Sequence, residues 1–148
     1  MKVMGQRRWY ALVGVLLLLL ASLSCGDAFE RDTSITVTGI NPPTFELSGN
    51  GNLMFLSVTD DAANKLEKRS HAILWKIIPR SGRSYIGKLP AITYGIIPED
   101  FTQETPANGP PPKLAEDMYY QVLAPTSNAN GASSFFIIQN NRASEVAH

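Results

Sequence analysis

Apolar residues fall along this chain in two regimes. Between Ala11 and Leu23 they make one long run of thirteen positions that includes five consecutive leucines, Leu16 to Leu20. Downstream they come in short segments separated by Pro, Gly, Asn and Asp. Segments of that length, rich in β-branched and aromatic residues and bounded by turn formers, predict strands. Ser34 to Ile40 reads as the first and stops at Asn41-Pro42-Pro43; Thr44 to Leu47 reads as a second. Ser48 to Asn52 is a turn, and Leu53 to Val58 is an apolar run fit for a buried strand. Asp60 to Ser70 is polar with good helix formers, and reads as a helical turn or a solvated loop. His71 to Ile78 is the next strand, where Lys76 between Trp75 and Ile77 points the Trp inward. Tyr85 to Leu89 and Ala91 to Ile97 read as strands broken by Pro90 and Pro98, hence as edges. Pro106 to Pro112 is a semi-rigid loop. Met118 to Ala124 and Ser133 to Gln139 complete the set, and residues 141–148 read as a flexible tail.

The long run has the grammar of an export signal. Lys2, Arg7 and Arg8 precede it, no acid occurs before Asp27, and small or polar residues (Ser22, Ser24, Cys25, Gly26) follow it. A transmembrane anchor is the competing reading, but a spanning helix needs about 20 apolar residues. Arg7-Arg8-Trp9-Tyr10 resembles a twin-arginine signal, against which the strongly hydrophobic leucine run speaks. The expected organisation is a helical signal segment over 1–25, a linker over 26–33, one domain over 34–140 and the tail. Cys25 is the only cysteine, so no internal disulfide can form and the domain must stand on its packed core. Ser22-Leu23-Ser24-Cys25 resembles a bacterial lipobox, in which the Cys is acylated and becomes the mature N-terminus. Ser24 fits that pattern, whereas Ser22 and Leu23 stand in reversed order. The resemblance implies a membrane tether at Cys25 and a place in the periplasm or at the cell surface. Ordinary signal-peptidase cleavage near Gly26-Asp27-Ala28 is the alternative. Two or more acyl chains, at about 0.8 kcal/mol per buried CH₂, anchor stably without a span.

About 120 residues remain after position 25, enough for one domain. Removing the signal takes away three of the thirteen basic residues and no acid. Ten bases against thirteen acids leave a net charge of −3, with no basic patch, which excludes nucleic acid as a natural partner. Seven or so strands and no long helix imply an all-β fold of two antiparallel sheets packed face to face. Leu53, Phe55, Trp75, Ile77, Tyr120 and Phe136 are expected core, each worth roughly 1.5–3 kcal/mol when buried.

One segment carries a resemblance. Leu114, Tyr120, Val122 and Ala124 match the spacing of the penultimate strand in fibronectin type III and related immunoglobulin-like domains. There the Tyr hydroxyl bonds upstream backbone and pins the corner between the sheets. Trp75 resembles the core Trp of those domains. The stretch from Ile73 to Tyr120 also resembles a pattern in uncharacterised bacterial envelope lipoproteins. Its elements are Leu74-Trp75-Lys76-Ile77, Tyr94-Gly95-Ile96-Ile97-Pro98, Phe101-Thr102-Gln103, Gly109-Pro110-Pro111 and Leu114. Together these imply a seven-stranded immunoglobulin-like sandwich and no particular activity.

The chemistry-bearing residues are few. His71 and His148 are the only histidines, and neither sits in a metal-ligand or nucleophile motif. Asp60-Asp61 beside His71 is better read as a solvated loop. Glu99-Asp100 and Glu116-Asp117 are paired acids of the kind a glycosidase needs, but both pairs lie at expected turns. No glycine loop cradles phosphate, and no cofactor is implied. Tyr85, Tyr94 and Tyr119 are the candidate binding surface, with the Pro106 to Pro112 loop beside them. The sequence therefore points to a non-catalytic exported lipoprotein that binds an envelope protein or supports an assembly. A carbohydrate or cell-wall binding module is the alternative, and a hydrolase a distant third. A coplanar row of exposed aromatics would favour sugar; an apolar patch or an open strand edge would favour a protein.

Overall fold

The computed structural model describes residues 32–60 and 72–146. The signal segment, Cys25, most of the linker, the polar stretch 61–71 with His71, and His148 lie outside the described residues. Among the described residues no helix is long and apolar enough to cross a membrane.

Among the described residues every long element is a strand, and every strand pair is antiparallel. The strands are β1 (Ser34–Thr38), β2 (Thr44–Ser48), β3 (Asn52–Leu53), β4 (Leu56–Asp60), β5 (Ile73–Pro79) and β6 (Ser84–Tyr85). They continue with β7 (Ile92–Thr93), β8 (Phe101–Thr105), β9 (Tyr119–Ala124), β10 (Thr126–Ser127), β11 (Ala132–Gln139) and β12 (Arg142–Val146). A six-stranded sheet runs β12-β11-β9-β4-β5-β8, a three-stranded sheet runs β1-β2-β7, and a small third sheet runs β10-β3-β6.

The core lies between the first two sheets, and period-2 alternation puts it there. Ile35 and Val37 of β1, Trp75 and Ile77 of β5, Tyr120 and Val122 of β9, and Phe136 and Ile138 of β11 are all buried. Phe45 of β2 reaches across to Phe136, ring centroids 5.8 Å apart, and Tyr120 stacks on Phe136 at 5.5 Å. Phe55 departs from expectation: it is only half-buried, with the Lys76 ammonium 4.7 Å from its ring centroid.

The seven-strand expectation is too low, and the tail assignment is wrong. Residues 142–146 do not fray but form β12, paired with β11 in register Gln139↔Arg142. Asn140 and Asn141, both with positive φ (53° and 60°), make the two-residue turn between them. Positive φ at both central positions is the geometry that matches strand twist in a tight hairpin, and Asn tolerates it. The expected strand Leu53 to Val58 is split between two sheets as β3 and β4. Tyr85 to Leu89 shortens to β6 and a single 3₁₀ turn, Ile86–Lys88, and Ala91 to Ile97 shortens to β7. β8 was not expected at all.

One edge of the six-stranded sheet is closed onto β1. The Val37 amide donates to Glu145 Oε1 at 2.6 Å, and the Ala143 amide to the Gly39 carbonyl at 3.2 Å. Ile40 bridges Arg142. Among the described residues no strand lies beyond β8 at the opposite edge of that sheet.

Candidate functional site

A pocket of about 480 Å³ opens where four distant segments meet. Its walls are Asn41-Pro42 after β1, Tyr94-Gly95 after β7, Pro110 to Leu114, and Asn141 in the β11–β12 turn. Sequence separation this large requires that the segments be tied, and they are. The Tyr94 hydroxyl donates to the Pro112 carbonyl at 2.8 Å. Asn41 Nδ2 donates to the Leu114 carbonyl at 3.0 Å, and the Asn41 amide to the Asn141 carbonyl at 2.9 Å. The Asn141 amide in turn donates to Glu116 Oε1 at 2.8 Å. Gly95, at φ 81°, holds the backbone close to the proline wall: a Cβ there would stand 3.4 Å from Pro111 Cγ.

The proline-rich loop is anchored from the core by one amide. Trp75 Nε1 donates to Gln103 Oε1 at 3.0 Å. Gln103 Nε2 then donates to the carbonyls of Pro106 and Gly109, at 2.7 and 2.8 Å. Because Trp Nε1–H can only donate, the Gln amide orientation is fixed by its partner. Prolines have no N–H, so the loop cannot pair as a strand; its carbonyls are held instead by Gln103 and Tyr94. Trp75 also meets Tyr94 edge to face, centroids 5.3 Å apart and planes at 66°. The T-shaped arrangement sets the positive ring edge of one aromatic against the negative face of the other.

Burial pushes the Tyr94 hydroxyl well above the ordinary phenol range, and the neighbouring Tyr120 adds to the effect. Tyr120 is also raised, by burial first, with the Ala115 backbone bond pulling the other way and Asp60 adding a smaller upward push. Both hydroxyls therefore stay protonated as fixed hydrogen-bonding groups at neutral pH.

Of the residues singled out from sequence, Trp75, Tyr94, Leu114 and Tyr120 converge on this region. Leu114 is buried beneath the pocket. The Tyr120 hydroxyl accepts the Ala115 amide at 2.8 Å, which pins the segment entering β9. Tyr120→Phe is expected to cost about 1 kcal/mol, the worth of one such bond where water can reach the amide. Urea denaturation reads this as a lower midpoint at unchanged slope; an unchanged midpoint rejects the bond.

The three candidate surface tyrosines do not form a row. Tyr94 is buried against Trp75 and offers the pocket only its rim, which corrects its assignment to an exposed surface. Tyr119 is half-buried on the outer face of the six-stranded sheet, opposite Ile137 in the ladder. Tyr85 is exposed, at the edge of the small third sheet.

No family model, curated protein or solved structure matches this chain.

The paired acids separate as well. Glu116 is engaged with Asn141, and Asp117 sits at φ 56° in the turn before β9. Glu99 and Asp100 line a second cleft beside Tyr85. Among the described residues no three His, Cys, Asp or Glu side chains converge on a metal position. Sequence reading missed Gln103, Asn41 and Asn141. The signal for Gln103 was its alternation with Phe101 in a short polar segment. For Asn141 it was the Asn-Asn dipeptide, a tight-turn pair.

Proposed function

We propose that this chain is an exported, lipid-tethered, non-catalytic binding module of the bacterial envelope, which holds an apolar segment of a partner protein in the proline-walled pocket. The observation that carries the binding reading is the cross-tied concavity itself. Its lining is mostly proline rings, Tyr94 and Leu114, with two asparagines and Lys113 as the polar groups. Concave, largely apolar sites with a few placed polar groups are those that take ligands. Among the described residues the lining holds no carboxylate, imidazole, aliphatic hydroxyl or thiol; its one phenol is committed to the Pro112 carbonyl. Its rigidity means that little ordering entropy is lost on binding.

The tether rests on the sequence: basic residues, the leucine run and Cys25 after Ser24. The fold within this reading is an immunoglobulin-like, fibronectin type III-like sandwich. The Tyr120-to-Ala115 bond, followed by a hairpin-like return through β11, supports it. Trp75 is a departure from that type, since it lies on β5, one strand beyond the β4 that pairs with Tyr120's strand.

A photo-crosslinking side chain at Lys113, on the pocket rim, is expected to give a discrete adduct in cells. The same group at Arg83, in the β5–β6 turn, is expected to give none. Identical adduct patterns at the two positions would sink the pocket reading. Mass spectrometry of the mature protein is expected to find an acylated N-terminal Cys25. A free terminus at Gly26 or beyond removes the tether.

A further inference from the structure

The second cleft, of about 410 Å³, carries chemistry that the proline-walled pocket lacks. It lies between the β6–β7 segment and the approach to β8, and its key residues are Ser84, Tyr85, Lys88, Leu89, Glu99 and Asp100. The Tyr85 ring is fixed in place although it is 42% exposed. Its hydroxyl donates to Asn50 Oδ1 at 3.1 Å. Its edge rests over Gly87, where a Cβ would come within 2.8 Å of the ring. Any other residue at 87 would push the ring away. The opposing wall is equally held: the Arg80 amide donates to the Asp100 carbonyl at 2.8 Å, and the Phe101 amide to the Pro98 carbonyl at 3.0 Å. Among the described residues the Glu99 and Asp100 carboxylates and the Lys88 ammonium have no side-chain partner.

We propose that this cleft binds a pyranose ring of a glycan chain, with Tyr85 as the stacking platform. The apolar C–H face of a sugar carries partial positive charge, which complements the negative face of an aromatic ring. The hydroxyls around its rim are donors and acceptors together. They match two carboxylates that accept and one ammonium that donates. A fixed aromatic loses little side-chain entropy when it stacks. A cationic peptide would use the acids but leave Lys88 opposed to it, so the mixed polar set favours a neutral polyol. This site is separate from the proline-walled pocket and does not depend on the reading of that pocket.

The test is isothermal titration of the full chain in detergent with N,N′,N″-triacetylchitotriose, with cellotriose, and with trilysine. The expected result is millimolar or tighter binding of at least one trisaccharide, insensitive to added NaCl. Tyr85→Ala is expected to weaken it by about tenfold or more, while Tyr85→Phe keeps most of it. Lys113→Ala, in the other pocket, is expected to leave it unchanged, so the two sites can fail separately. Near-UV circular dichroism confirms that the variants are folded. Overturning results are no trisaccharide binding, equal binding by Tyr85→Ala, or binding of trilysine alone.

Discussion

Trp75→Ala is expected to remove about 3–5 kcal/mol of stability, the usual cost of truncating a fully buried aromatic to a methyl group. The side chain has no exposed surface, and it does two things. It fills the core beside Ile77 and against Tyr94, and through Nε1 it anchors Gln103, which anchors the proline-rich loop. The substitution leaves a cavity and also strips Gln103 Oε1 of its donor. Domains of this size are stable by only about 5–15 kcal/mol, and this one has no disulfide to constrain its unfolded state. A large share of the total is therefore at stake. Urea denaturation should show the drop, and limited proteolysis should show new cleavage within residues 106–112. A loss below about 1.5 kcal/mol, with the loop still protected, would mean that Trp75 neither fills the core nor anchors the loop through Gln103.

Gly49→Ala is expected to cost about 2–5 kcal/mol, for two separable reasons. At φ 126° an L side chain is strained, by roughly 1–2 kcal/mol. A Cβ there would also lie 2.3 Å from the Asp32 carbonyl oxygen and 3.0 Å from Thr33 Cα. Those are backbone atoms, so the entry to β1 would have to move, at an overpacking cost of about 1–3 kcal/mol. The movement would break the Thr33 amide bond to the Asn130 carbonyl and the Asp32–Asn130 bridge. Gly82→Ala is the internal control. Gly82 also has positive φ, 80°, but nothing lies within 4 Å of its Cβ position. It should show the strain alone, so the difference in melting temperature isolates the close approach. Equal shifts for the two variants would place the residues before β1 elsewhere.

The strands that sequence located well are those with two or more large inward residues. β5, β9 and β11 each declare themselves by alternation around Trp75-Ile77, Tyr120-Val122 and Phe136-Ile138. β8 and β12 were illegible for the opposite reason. β8 has only Phe101 to mark it, because its next inward position is Gln103, chosen to hold a loop rather than to fill the core. β12 buries only Ala143, since it lies against β1 and needs a small residue there. A strand whose job is to seal a seam carries little hydrophobic signature. The candidate site was half legible. Tyr94, Leu114 and the proline-rich loop were flagged from sequence. That Asn41 and Asn141 close the pocket depends on tertiary approach over a hundred residues of chain, which no local pattern encodes. Tyr94 was misplaced because an aromatic between turn residues can lie on a surface or under a loop with the same local sequence.

The seam between β1 and β12 also bears on the order of events in folding. A strand that starts at Ser34 has its amide at Val37 satisfied by Glu145, and its neighbouring turn shares backbone bonds with residues 141 and 143. Contacts of such long sequence separation form slowly, because loop-closure entropy is lost before they add stability. A ribosome that has made β1 through β9 has therefore produced a chain that cannot yet shut. The seam itself is completed only once residues 142–146 have been made and have paired with β11.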